Sequence, residues 1–314
     1  MDNMFTIFSK RMALLFLTLI FLIPCFGQNP ENPTALFDGK NLDHWEMYGD
    51  SPGFEIKDGI IQTTVQNGDN LFTKKTYGNY TLKLEYLLSE VGNSGVLIRS
   101  DPEDAWTSGV EVQLLAPWTP YRDDLHCTAS LYGHVAVTNR PDETTGVWHE
   151  MEIHCDRKYI RISVDGKIAT EVNTDTVESM KDKYLEGAIG LQSNHGKPTE
   201  FAHFRNIRIF NLDDEPGYVL EGFRDKDGQV RQQAYTAAVR HGHVLVPDLI
   251  SFLSSDDPVI LRGARQVLFD LVAEATDPAR NHLKNRLKKE LRKNRKNAKT
   301  KMAKEYTNNL LRMM

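Results

Sequence analysis

The sequence predicts a mainly β protein, a two-sheet sandwich or jelly roll, with a small α-helical extension at its C-terminal end. Three observations carry that expectation. Between Leu36 and Phe210, short runs alternate apolar and polar residues, and no helical pattern of ten residues interrupts them. Asp-Gly pairs at 58–59 and 165–166 lie between such runs, as two-residue hairpins require. Beyond Asp213-Asp214-Glu215-Pro216-Gly217 the apolar spacing lengthens to that of helices.

Taken in order, residues 1–27 of the 314 read as an export signal. Lys10 and Arg11 precede an apolar run from Met12 to Pro24, shorter than the ~20 residues that cross a bilayer. Cys25 and Gly27 provide small residues three and one before a cleavage after Gly27. Two alternatives stay open: an uncleaved anchor or buried helix, and a lipoprotein acylated at Cys25, which Pro24 suits poorly. The expectation is an exported protein, periplasmic or held at the cell envelope.

Residues 28–212 supply the strands. Tyr80, Leu82, Leu84 and Tyr86 alternate with Thr81, Lys83 and Glu85, and Val110, Val112 and Leu114 with Glu111 and Gln113, so each run buries one face. Ile160, Ile162 and Val164 run through Asp165-Gly166 into Lys167-Ile168-Ala169, a hairpin, and Asp58-Gly59 joins Phe54-Glu55-Ile56 to Ile60-Ile61 in the same way. Cys155 continues an alternation with Met151 and Ile153 and reads as a small core residue; pairing with Cys127 is the lesser alternative.

In residues 213–279, Asp227, Val230, Ala234 and Ala238 superpose on Asp257, Ile260, Ala264 and Leu268 with a shift of 30, and Val244–Leu253 supplies a helix between them. These helix pairs resemble short HEAT-like repeats. They are fewer than the ~3 units expected to stand alone, so they should pack on the β-domain or on another chain. Residues 280–314 hold 13 Lys and Arg against two acidic residues, +11, and the rest of the chain carries 25 against 41, or −16. That balance argues against a nucleic-acid-binding main domain. Two apolar stripes, Leu283, Leu287, Leu291 and Met302, Tyr306, Leu310, run along this basic tail. It reads either as a solvated helix or as a contact with a protein partner, an anionic surface or the acidic body itself.

Polar and aromatic residues that suit a polyhydroxylated ligand cluster at several points of the β region. They include Glu111 and Gln113, Asn93-Ser94-Gly95 leading to Arg99, Tyr132-Gly133-His134, Trp148-His149, Gln192 and His195-Gly196. Trp118, in a loop, is the tryptophan best suited to stack on a sugar.

Leu36-Phe37-Asp38-Gly39-Lys40 with Leu42 and Trp45, Gly92–Arg99, Gly109-Val110-Glu111-Val112-Gln113, Leu131-Tyr132-Gly133, Gly187–Gln192 and Phe204-Arg205-Asn206-Ile207 follow one another in the order of a known pattern. Over about Leu36 to Asn211 the chain resembles the 3-keto-disaccharide hydrolase domain family. The resemblance implies a concanavalin A-like jelly roll and an exported, carbohydrate-active enzyme that cleaves glycosides whose sugar carries a 3-ketone. It departs from the family in two places. Leu114-Leu115-Ala116-Pro117-Trp118 lacks the usual Asp, and His149 stands where Asn usually follows the tryptophan.

Such cleavage proceeds by C2 proton abstraction, β-elimination at C1 and hydration. The site then needs a base, an acid for the leaving oxygen, and positive charge or a metal at the enolate oxygen. For such a reaction we take Glu111 or His134 as the base, Arg99 and Gln113 at the ketone or sugar hydroxyls, and Gln192 and His195 on the opposite rim, with Trp118, Tyr132 and His149 as further substrate contacts. The cofactor stays open; a divalent metal held by His and Glu is one alternative, although no metal-type spacing singles it out. Two other functions remain: a carbohydrate-binding module without turnover, and a partner-binding envelope protein that works through its helices.

Overall fold

The computed structural model describes residues 33–64, 69–120, 122–193, 199–277 and 280–314. Residues 1–27, read above as an export signal and including Cys25, lie outside these residues, as does His195. The β region comprises β1 (Thr34–Phe37), β2 (Trp45–Tyr48), β3 (Phe54–Lys57), β4 (Ile60–Thr63), β5 (Asn70–Thr73), β6 (Tyr80–Leu88), β7 (Asn93–Ser100), the short helix α1 (Ala105–Ser108), β8 (Val110–Leu115), β9 (His149–Asp156), β10 (Tyr159–Val164), β11 (Lys167–Asn173), β12 (Ala188–Leu191) and β13 (Ala202–Asn211). Two antiparallel sheets form the predicted jelly-roll sandwich. The larger has the order β11-β10-β9-β6-β13-β4-β3 with β1 beside β13, and the smaller β2-β5-β12-β7-β8.

Period-2 patterning builds the core directly. Tyr80, Leu82, Leu84 and Tyr86 of β6 are buried together with Val96, Ile98, Val112 and Leu114 of β7 and β8. Truncating one of these, Leu84→Ala, should cost about 2–5 kcal/mol. Both Asp-Gly pairs turn as expected, with Asp58, Gly59, Asp165 and Gly166 all at positive φ, the geometry of a type I′ hairpin. Cys127 and Cys155 are buried and unpaired.

The prediction for β8 needs correcting. Alternation implies a solvated outer face, yet all six residues Val110–Leu115 are buried. Helix α1 lies over this side of the sheet, where Ala105 packs on Phe72, Leu97 and Ala188. The chain also returns alongside β8, with Leu131 bridged to Val112 and the Tyr132 N–H donating to the Glu111 carbonyl (2.9 Å).

The extension consists of α2 (Pro216–Gly222), α3 (Gly228–His241), α4 (Val246–Phe252), α5 (Pro258–Ala275), α6 (Asn281–Asn294) and α7 (Lys301–Met313). Asp227 and Asp257, the superposed pair, are the N-caps of α3 and α5, accepting from the N–H groups of Gln229 and Val259. Leu287, Leu291, Ala298, Ala303 and Leu310 are buried with Val246, Leu249, Val267 and Leu268 in a second core. The basic tail is therefore neither a solvated helix nor a free amphipathic one, because its apolar stripes close the chain's own core. The extension docks on the β-domain: Lys158 bridges Asp175 (2.7 Å) and Asp227 (2.6 Å), Tyr218 donates to Asp156 (2.6 Å), and the Gln233 amide donates to the Leu185 carbonyl (2.8 Å). None of the described helices is long and apolar enough to cross a membrane.

Candidate functional site

Odd-numbered residues of β8 point away from the core, onto the side of the smaller sheet that α1 partly covers. There Glu111 lies opposite Leu97, and Gln113 opposite Gly95. The Glu111 carboxyl leans across β7: a Cβ added to Gly95 would stand 2.2 Å from its Oε1, so only glycine leaves the carboxyl room. Gln192 is fixed to β7 by its own backbone. Its N–H donates to the Gly95 carbonyl (2.9 Å), and its carbonyl accepts from Ser94 Oγ (2.6 Å). Its side chain then hydrogen-bonds the Glu111 carboxyl.

Glu111 is 4% exposed, and among the described residues its Oε1 has no hydrogen-bond partner. Burial pushes its pKa up to about 8, with the bond from Gln192 opposing the rise. A carboxyl held near the pH of the medium can take and return a proton, and strongly shifted groups of this kind concentrate at functional sites.

Tyr132, next to Glu111 across the returning chain, carries a small aromatic ledge. Trp106 stacks on it (6.2 Å between centroids, 18°) and His126 meets it edge-on (4.8 Å). Trp106 is 62% exposed, so the ledge presents a ring face to solvent. Beyond it a cavity of about 410 Å³ is lined by Asp104, Thr107, His134, Ser179, Asp182 and Lys183, among others. Lys183 Nζ donates to the Thr107 carbonyl (2.6 Å), and His134 Nδ1 and Ser179 Oγ are hydrogen-bonded (2.8 Å). Burial, reinforced by the Lys183 charge, lowers the His134 pKa, so its imidazole is neutral at pH 7.

The structure joins Glu111 to Gln192 through a side-chain hydrogen bond and to Tyr132 through the backbone, while His134 lines the cavity with Ser179 and Lys183. Other expected contacts are engaged elsewhere. Arg99, at φ 53, sends its guanidinium to the other sheet, donating to the carbonyls of Gly78 (2.9 and 2.8 Å) and Arg157 (2.7 Å). This left-handed residue breaks the alternation and directs the arginine to bracing the sandwich. Gln113 donates to Asn93 Oδ1 (2.9 Å) and the Ser94 carbonyl (3.2 Å), which ties β8 to β7. His149 belongs to β9 in the larger sheet, stacked on Tyr86 (5.4 Å). Its Nδ1 bonds Asp165 (2.7 Å) and its Nε2 donates to the Thr144 carbonyl (2.8 Å), so neither nitrogen is left for a sugar. Trp118 is 76% exposed in the loop after β8, beyond the strand end opposite to the ledge.

Sequence reasoning missed Trp106, His126 and the 179–183 segment. Only Trp106 had a signal: it follows Asp101-Pro102-Glu103-Asp104, a capped helix start in which Asp101 accepts from the Glu103 N–H (3.0 Å), and such starts lie at the surface. Among the described residues no three His, Cys, Asp or Glu side chains converge as a metal set.

Among known proteins, a family model described as "3-keto-alpha-glucoside-1,2-lyase-like domain" matches residues 32–210. Two solved structures from Parabacteroides distasonis, each described as a "putative glycosyl hydrolase", share the fold of the β region. One is 24% identical, with a TM-score of 0.51 over 57% of this chain and 99% of that one. The other is 22% identical, with a TM-score of 0.50 over 58% and 94%. No curated protein matches the chain.

Proposed function

Because the chain belongs to the 3-keto-alpha-glucoside-1,2-lyase-like domain family through residues 32–210, we propose that it is a carbohydrate-active enzyme opening 3-keto-glycosides by elimination and rehydration. The observation that carries this reading is the buried Glu111 carboxyl, with one oxygen unengaged among the described residues and a pKa of about 8.

A ketone at C3 acidifies the hydrogen on C2. Glu111, as carboxylate, takes that proton, and the electron pair passes through the C3 enolate to form the C1–C2 double bond as the C1–O bond breaks. The leaving oxygen takes its proton from the Glu111 carboxylic acid so formed, which restores the carboxylate. Water then adds, hydroxyl to C1 and proton to C2, so the net change is hydrolysis. A carboxylate with pKa near 8 is a far stronger base than an ordinary one, and its burial favours the neutral form it becomes on accepting the proton. One carboxyl therefore suffices, where oxocarbenium chemistry needs two. Gln192 holds Glu111 in place. The Trp106–Tyr132 ledge offers a face to the apolar side of a sugar ring, and the cavity with His134, Ser179, Asp182 and Lys183 offers donors and acceptors for the rest of the glycoside.

The reading is tested by incubating the protein with a 3-keto-glucoside and with the unoxidised glucoside. Release of the aglycone from the oxidised compound alone is the expected result. Binding of unoxidised glycan with no release from either would make the protein a carbohydrate-binding module. We place this activity outside the cytoplasm, because Lys10, Arg11 and the apolar run Met12–Pro24 have the pattern of an export signal.

A further inference from the structure

Between Leu291 and Lys304 the end of α6, the turn after it and the start of α7 carry seven cations and no acidic residue: Arg292, Lys293, Arg295, Lys296, Lys299, Lys301 and Lys304. All seven are exposed. Among the described residues only Lys293 is in an ion pair, with Glu290 (3.6 Å). This stretch lies outside the part of the chain that the family covers.

Structural roles explain some of these charges but not all. Arg292 and Lys293 end α6, where cations suit the helix dipole. Lys299, Lys301 and Lys304 flank or open α7, where the dipole repels them. They also repel one another, and among the described residues none of the three is in an ion pair, with Glu305 the one carboxylate that follows them closely. The buried residues among and after them, Ala298, Ala303 and Leu310, fasten the segment to the second core. The cations are therefore displayed on a fixed platform, with the half-exposed Met302 in their midst.

We infer that this face binds the anionic headgroups of a phospholipid membrane. Its density of like charge matches a surface of repeating negative charge, and Met302 gives an apolar side chain that can enter the headgroup layer. Because Leu287, Leu291 and Leu310 of the stripes are buried in the second core and Met302 is left outside it, the contact is peripheral and electrostatic and does not require the helices to insert. The exposed apolar side chain of Met302 among the cations favours a lipid surface over other polyanions, because a headgroup layer lies over an apolar interior.

The test is co-sedimentation of the purified full chain with vesicles of phosphatidylcholine alone or mixed equally with phosphatidylglycerol. We expect binding to the mixed vesicles that is lost at 0.5 M salt. At about fivefold in binding constant per cation, the triple variant Lys296→Ala, Lys299→Ala, Lys301→Ala should bind about 100-fold more weakly. The variant Lys301→Ala, Lys304→Ala should bind more weakly while melting no lower than the parent, because these charges do not stabilise α7. Equal binding to both vesicles, retention of binding by the triple variant, tighter binding to duplex DNA or a sulfated polysaccharide than to the mixed vesicles, or a lower melting temperature for the double variant would each overturn the inference.

Discussion

Replacing Glu111 with Gln should abolish turnover and at the same time stabilise the fold. The carboxyl is buried with a pKa of about 8 against an ordinary 4.5, so between those values the folded state holds a proton that the unfolded chain releases. Stability is then greatest at low pH and falls as pH rises, by about 1.4 kcal/mol per pH unit. At pH 7 the wild-type protein has lost about 3 kcal/mol, and above pH 8 about 5 kcal/mol, a large share of the total for a domain. Glutamine keeps the shape and a bond to Gln192 but never ionises, so at pH 7 the variant should melt about 6–12 °C higher. Loss of the base should lower kcat by about 10²–10⁴ or more. The assays are calorimetry at pH 5 to 9 and aglycone release from a 3-keto-glucoside, for which wild-type kcat/KM should rise with an apparent pKa near 8. If the variant turns over within threefold of wild type, or if both proteins lose stability in parallel from pH 5 to 8, Glu111 is neither the base nor a buried carboxyl of this kind.

Gly95→Ala puts a Cβ where the Glu111 carboxyl lies, 2.2 Å from Oε1; about 1–3 kcal/mol of overpacking should appear in urea unfolding, and displacement of the base should cut kcat about 10–100-fold. Trp106→Ala should raise KM about two- to tenfold with kcat little changed, in steady-state kinetics, because its exposed ring serves stacking alone. Burial opposes the charge of His149, but Asp165 and the Thr144 carbonyl outweigh it and hold its pKa above 6.5. Its contribution to stability is therefore fully present below pH 6.5 and lost as pH rises through the folded value. Asp165→Asn, made in the Glu111→Gln protein so that only one group is followed, should destabilise more at pH 6 than at pH 9 by denaturant titration; an equal loss at both would refute the charged pair.

Much of the sandwich was legible because its signals are local. The alternation in β6 needs no partner to be recognised, and Asp165-Gly166 turns because two adjacent residues accept positive φ. The matched N-caps Asp227 and Asp257 were visible as a repeat for the same reason. The site was legible only in part. Glu111, Gln192 and Tyr132 stand in recognisable motifs, whereas Ser179, Asp182 and Lys183 reach the cavity from a segment with no pattern of its own. Arg99 misled because a single left-handed residue reverses the side on which a strand side chain emerges, and periodicity assumes no such reversal. His149 misled because its partner Asp165 is 16 residues away, on the next hairpin.

By itself the sequence determined which residues alternate, where hairpins turn, which helices carry apolar stripes, and that a +11 segment follows an acidic body. These follow from bonding and spacing along a few neighbouring residues. Only the tertiary structure decided what each exposed-looking group faces. It covered the polar side of β8 and so turned Glu111 from a surface carboxylate into a buried carboxyl with a raised pKa, because a pKa depends on what displaces water around the group. It also folded the tail's leucines into a second core and left the lysines outside, since apolar area is buried wherever a complementary face exists, and here that face was α4 and α5.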